Sequence, residues 1–346
     1  MHGKEEFNIC QRLRNMKNQK LCLICLVIIT FFSKYSYSQS AVPYDQNIAA
    51  AKQLFNDKQY ITAAKAYTNA FLLNGNRGRV DHRYAAARSW AMGGQTDSAF
   101  NELDKTVKSH YAEYLQLVTD TAFTLLHSDS RWVGVTASFK VNKRKQDSLS
   151  NAKFKNLNMK LVAKLDSINY DDQLIRYQLD GIEQKYGRQS AQMIANIELM
   201  NKMDSVNAKK ISAILDQYGW LGKEDIGEQG NSTLFLVIQH ADITTQLRYL
   251  PMMRKAVADG KARGTSLALL EDRTARRQGK KQIYGSQIML NNKTGKYFVQ
   301  PMIEPENVDQ RRASVGLIPI AEYVSRWEIK WSIKQYEDDL VSANVK

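Results

Sequence analysis

The sequence predicts a mainly α protein with one small β element, and three observations carry the prediction. From Tyr44 to about Lys105 the chain repeats a pattern of small and large apolar positions at a 36-residue offset. The stretch Asn231 to Tyr249, NSTLFLVIQHADITTQLRY, is apolar around almost its whole circumference when wound at ~100° per residue, and a helix without a solvent face is a buried one. Only Gln282 to Leu290 and Lys296 to Gln300 leave the helical period for alternation, flanking Asn291-Asn292-Lys293-Thr294-Gly295, which predicts a hairpin with a five-residue loop.

A length of 346 residues suggests two domains, and 43 % apolar side chains suffice to bury a core in each. The first segment is expected to be a leader rather than structure. Leu21 to Phe32 is a short apolar run between Lys17 and Lys20 on one side and Ser36-Tyr37-Ser38 on the other, the pattern of a cleaved signal before Gln39. A run of twelve residues is too short to span a bilayer. Met16 is the expected start of that leader, and residues 1–38 the signal peptide. The expected location is periplasmic or secreted through Sec export, with membrane attachment only if the leader stays uncleaved. Cys10, Cys22 and Cys25 all precede the cleavage point, so the mature chain is expected to hold no disulfide, thiolate metal site or cysteine nucleophile.

Net charge is +14, falling to +10 without residues 1–38 and their six basic and two acidic side chains. The densest clusters are Lys140, Lys143, Arg144 and Lys145, then Arg273, Arg276, Arg277, Lys280 and Lys281. Neither interleaves aromatics, so a nucleic-acid footprint is not expected. Solvated faces, or an anionic envelope partner, are the readings that remain.

In the repeat region Ala51, Leu54, Lys58-Gln59-Tyr60, Ala63, Tyr67 and Ala70-Phe71 have counterparts in Ala87, Trp90, Gly94-Gln95-Thr96, Ala99, Leu103 and Thr106-Val107. These spacings resemble tetratricopeptide repeats, with Thr96 and Thr106 departing from the usual residues. Tyr111 to Phe139, with Phe123, Leu126 and Arg131-Trp132, is a candidate closing repeat, giving a repeat region of residues 44–139. Two and a half units are marginal for independent stability, because each buries its apolar face on its neighbour. What the resemblance implies is a groove for a protein or peptide partner. His82, His110 and His127 are expected to be ordinary surface or inter-helix histidines, since no ligand lies at metal spacing beside them.

Val141 to Asn156 is polar and basic, a linker or the start of the next helix, so residues 140–158 divide the repeats from a C-terminal domain at 159–326, with 327–346 as a tail. In that domain Asp171 or Asp172 is a candidate cap one turn before Arg176. Gln192 to Lys202 has one apolar face, and a further helix from Asn207 is expected to end at Gly219, with Trp220 packing back. Pro251 is expected to break the chain after the central helix, and Thr265 or Ser266 to cap a helix ending at Gly279. The ordered set Asp172-Gln173 with Arg176, Gly219-Trp220, Gln239-His240-Ala241-Asp242, Leu270 with Asp272-Arg273, Gln282 with Tyr284-Gly285 and Gln287, and Arg312 with Gly316-Leu317 resembles a bacterial domain of unknown function, the one numbered 6624. Leu221 stands where that pattern has a proline. The resemblance implies a fold unit and settles no chemistry.

The chemistry is then weighed from residue types. His240 is the only histidine after residue 127, and continuous helical geometry turns Asp242 away from it, so no metal is expected, and no cofactor. No nucleophile elbow or phosphate loop is present. The candidate catalytic residues are His240, Asp242, Asp272 and Tyr284; the candidate ligand-binding residues are Gln239, Arg273, Gln282, Gln287 and Arg312. Together they describe an acid-base pocket centred on His240, with Tyr284 or a neighbour on its strand as the ring's partner and Arg273 binding an anion. Against this stands an all-structural reading: an Asp272–Arg276 pair, glutamines bonding the hairpin backbone, and His240 as a satisfied core residue. The sequence therefore carries two expectations: an interaction protein whose repeats grip a partner, or a pocket domain that the repeats position.

Overall fold

The computed structural model describes residues 43–345, and they are mainly helical with a single small two-stranded antiparallel sheet among them. The leader expected at residues 1–38 lies outside the described residues. No described helix is long and apolar enough to cross a membrane. The chain divides into two units after Lys143.

The first unit is a succession of helical hairpins. Helix α1 (43–56) precedes α2 (Tyr60–Leu73), α3 (Val80–Met92) precedes α4 (Thr96–Lys108), and α5 (Tyr114–Thr119) leads through a 3-10 turn (Thr121–Leu126) to α6 (Arg131–Asn151). The small positions of the repeat pattern are where the helices meet: Ala51, Ala63, Ala70, Ala87 and Ala99 are fully enclosed. Tyr67 and Phe71 fill one cluster; Leu103, Phe123, Leu126, Trp132 and Phe139 fill the next. His82 is buried with Nδ1 2.8 Å from the Tyr44 hydroxyl, an inter-helix histidine as expected. Residues 141–151 continue α6 rather than opening the next helix, because Phe139 anchors the helix in the second cluster and the polar turns that follow extend it.

The second unit begins with two long antiparallel helices, α7 (Met159–Tyr186) and α8 (Ala191–Tyr218). Asp172 lies inside α7, not at its cap; Asn158 caps it, accepting from the Leu161 N–H. The two helices expected on either side of Asn207 are one, α8, with Ser190 as its cap, because Asn207 turns its side chain into the interior instead of back onto the helix start. Gly219 ends α8 at φ 69°, and Trp220 is buried beside it.

Helix α9 (Lys223–His240) carries the central apolar stretch, with Gly227 interrupting its first turn. Leu234, Phe235, Val237 and Ile238 are buried among side chains of α7, α8, α10 and α11, so the helix is enclosed as its composition demands. Each such side chain contributes roughly 1.5–3 kcal/mol on burial. Gly230 allows the approach of α7: a Cβ there would stand 3.1 Å from Leu165 Cδ1.

The central stretch is not one helix. Ala241 and Asp242 are extended, at ψ 169° and 162°, and Asp242 caps α10 (Ile243–Ala258) by accepting from the Thr245 N–H at 2.9 Å. Pro251, expected as a break, sits within α10. Helix α11 (Gly264–Arg277) follows, with Arg263 in the cap position expected of Thr265 or Ser266.

The sheet pairs β1 (Ile288–Asn291) with β2 (Lys296–Val299) in the register Ile288 to Val299, shorter than the alternating pattern implied. Gln282 forms only a parallel bridge to Met302. Around the hairpin, α12 (Val308–Ser314), α13 (Ile320–Val324) and α14 (Ile333–Ser342) build a second, smaller core from Val299, Met302, Val308, Ile320, Val324 and Tyr336. The expected tail is thus part of the fold: Tyr336 is buried and its hydroxyl accepts from the Met302 N–H at 2.8 Å.

Candidate functional site

The C-terminal residue of α9 faces α7 and α8. Nδ1 of His240 lies 3.1 Å from both oxygens of Asp172, which is 1 % exposed at the side chain. One helical turn on, Arg176 donates through Nη2 to both oxygens of Asp204 on α8, at 2.7 and 2.8 Å, and its Nη1 lies 3.3 Å from Asp172 Oδ1. Gln173 donates to Asp172 Oδ2 at 2.7 Å. The spacing Asp172 to Arg176 is what sets carboxylate and guanidinium side by side on one helix face.

Burial pushes the Asp172 carboxyl up, but the hydrogen bond and charge of His240, followed by the charge of Arg176, outweigh it and hold the carboxyl below the usual aspartate value. An ionised carboxylate only accepts, so Nδ1 donates and Nε2 is the ring nitrogen left free. Among the described residues Nε2 meets no hydrogen-bond partner, and the side chain keeps 16 % of its surface open. A half-buried imidazole oriented by a buried carboxylate, with its far nitrogen presented, is able to take or give a proton.

Helix α11 adds cations to the same place. Arg273 donates from Nη1 to the Gln239 carbonyl at 3.1 Å, and Arg277 from Nη1 to the Ala241 carbonyl at 2.7 Å, covering the carbonyls that end α9. Burial pushes the Arg273 guanidinium down, and the charges of Arg277 and Arg176 add to that, with Tyr323 and Asp204 opposing.

The other predicted residues lie elsewhere. Asp242 is an exposed helix cap. Asp272 is wholly buried and accepts from the N–H groups of Ile283, Tyr284 and Ser286, at 2.6, 2.9 and 2.9 Å, so it pins the loop entering the hairpin. Arg276 turns to Gln300 and the Lys280 carbonyl instead of pairing with Asp272. Gln282 is buried and serves the same loop, donating to the Gln287 and Gln300 carbonyls and accepting from the Gln287 N–H; the Gln287 side chain donates to Ser286 Oγ. Arg312, also wholly buried, donates to the carbonyls of Tyr284 and Ile318 and lies 4.7 Å over the Tyr323 ring. The Tyr284 hydroxyl reaches only Glu271, at 3.5 Å, so the ring partner expected from the hairpin strand is supplied by Asp172 instead. Gly285 permits the tight course of this loop: at φ 70° a Cβ would stand 2.6 Å from Ile320 Cδ1.

Of the candidates, the structure gathers His240, Gln239 and Arg273. Asp172, Arg176 and Asp204 were missed as site residues. The signal for the first two was their spacing of four; Asp204 lies on a helix whose pairing with α7 leaves no local trace. Donor atoms of Asp172, Asp204 and His240 fall within 4.8 Å of one another, so carboxylates do approach the histidine, contrary to the sequence argument, which weighed only Asp242. The Arg176 guanidinium, however, stands between the two carboxylates and supplies the positive charge that a cation would bring. A cavity of ≈ 700 Å³ lies apart from all of these, between the hairpin turn and residues 326–339, and includes no predicted residue.

Fold and site define a helical domain built around an enclosed central helix, whose C-terminal histidine is held by a buried aspartate and ringed by arginines. The chain belongs to the family of unknown function DUF6624, whose model matches residues 159–335. No curated protein and no solved structure matches the chain.

Proposed function

We propose that the C-terminal domain is an acid-base module in which His240, oriented by Asp172, exchanges a proton with a bound small molecule through Nε2. The observation that carries this reading is the bond from Nδ1 to a carboxylate that is 1 % exposed, with the opposite nitrogen left without a partner among the described residues. A histidine serving only the core would have both nitrogens engaged or enclosed. Substitution tests it: His240→Gln preserves hydrogen-bonding capacity, so it leaves the melting transition close to wild type. Incubation of both proteins with a small-molecule extract, followed by mass spectrometry, then shows a species converted by wild type alone. Identical profiles from the two proteins refute the proposal.

A second reading is favoured by the first unit. Leu72, Leu73, Leu125 and Val133 are more than half exposed on its helical hairpins, as expected of tetratricopeptide-like units that grip a protein or peptide. In this reading the chain is an exported interaction protein and the family domain its rigid second module; an anionic envelope component is the partner its positive charge favours. Co-purification with and without residues 39–143 distinguishes the two readings, because only the interaction reading loses its partner with that unit.

A further inference from the structure

Arg273 combines partial burial with unused bonding capacity. Its Nη1 is spent on the Gln239 carbonyl at 3.1 Å, while its Nε is buried and has no hydrogen-bond partner. Among the described residues no carboxylate lies within salt-bridge distance of it, and Nη2 makes no hydrogen bond. The free groups, Nε and Nη2, are the edge of a guanidinium that grips a carboxylate or phosphate through two parallel bonds. The charges around it are of its own sign first, Arg277 and then Arg176, with Asp204 a lesser influence and already bound bidentately by Arg176. A partly buried cation without a counter-ion, pressed by two others, is costly to the fold and becomes favourable when an anion arrives.

Location completes the argument. Gln239, which receives Arg273, directly precedes His240, and Arg176, whose charge Arg273 senses, is bonded to the Asp172 that holds the His240 ring. An anionic group seated on the free edge of Arg273 is thereby held beside the last turn of α9, which ends at His240.

We propose that Arg273 is the anion-binding residue of this site, receiving a carboxylate or phosphate group of the substrate on its Nε–Nη2 edge, with Arg277 adding to the attraction. This deepens the acid-base reading and rests on it for the identity of the substrate as something that reacts; the anion subsite itself is tested separately.

Inorganic phosphate and acetate are the probes, titrated into the purified protein at constant ionic strength against chloride, with binding read by melting temperature and by the NMR signal of the Arg273 Nε–H. Wild type is expected to be stabilised by at least one of them beyond chloride, with the Nε–H signal shifting along the same titration. Arg273→Gln is expected to abolish the effect, and Arg273→Lys to weaken it about tenfold, since a point charge replaces a fork worth about 1.4 kcal/mol. Phosphate acting and acetate failing selects a phosphoryl group; the reverse selects a carboxylate. Equal stabilisation by all three anions, or binding retained by Arg273→Gln, overturns the proposal. If Arg273→Gln does not fold, an unmoved wild-type Nε–H signal overturns it equally. Loss of conversion in His240→Gln together with absent anion binding leaves the acid-base reading standing and this one refuted.

Discussion

Asp172 and His240 are 68 residues apart in sequence, and Nδ1 of the histidine lies 3.1 Å from each of the two carboxylate oxygens. The contact joins the middle of α7 to the last residue of α9, and Arg176 extends it to Asp204 on α8. Three helices are thereby tied by one charged network in a part of the domain where burial alone would exclude charge.

The network is expected to be worth measurable stability. Asp172→Ala leaves Arg176 and the His240 Nδ1–H without their shared acceptor, and is expected to destabilise the domain by about 1–3 kcal/mol. Urea unfolding of the wild type and the variant measures the difference.

Acid should remove the same contribution. The Asp172 carboxyl is held below its ordinary value by the His240 hydrogen bond and charge and by Arg176, against burial. A depressed carboxyl stabilises the fold above its unfolded pKa, about 4, and that contribution is lost as pH falls further through the folded value. The stability difference between wild type and Asp172→Asn is therefore expected to shrink as pH falls below about 4. A difference that grows below about pH 4 would reverse the sign of the effect.

Asp272→Asn tests the separation of scaffold from site. Three backbone N–H groups point at that carboxylate, and an amide would turn an NH₂ toward at least one of them. A loss of about 1–3 kcal/mol in unfolding is expected, with phosphate or acetate binding retained by the folded fraction.

Export is expected on the pattern of residues 17–38. Amino-terminal sequencing of the protein from its native cell should begin near Gln39; an intact leader on protein from the cytoplasm contradicts it.

What was legible in the sequence was what local periodicity encodes. The apolar circumference of Leu234 to Ile238 announced burial, Gly219 announced the end of α8, and Asn291 to Gly295 announced the hairpin turn. The break at Ala241-Asp242 had a signal too, since an aspartate three residues before a threonine is a common cap, but the apolar pattern continuing through Ile243 and Leu247 masked it. The site was only half legible. His240 stood out as a polar residue in apolar surroundings and Arg273 as one of a basic cluster, whereas Asp172 and Asp204 sit on long helices with ordinary charged faces, and only the packing of α7, α8 and α9 turns them inward. Asp272, Gln282 and Arg312 were equally conspicuous, and the hydrogen bonds they make go to backbone groups.

The central claim is that Asp172 fixes the His240 ring and presents Nε2 as the proton-exchanging atom. Long-range proton–nitrogen NMR of the histidine side chains measures this directly. The account predicts that His240 carries the shared proton on Nδ1, with a downfield Nδ1 proton signal that moves or disappears in Asp172→Asn. A His240 found as the Nε2–H tautomer, or a signal unchanged in Asp172→Asn, contradicts it.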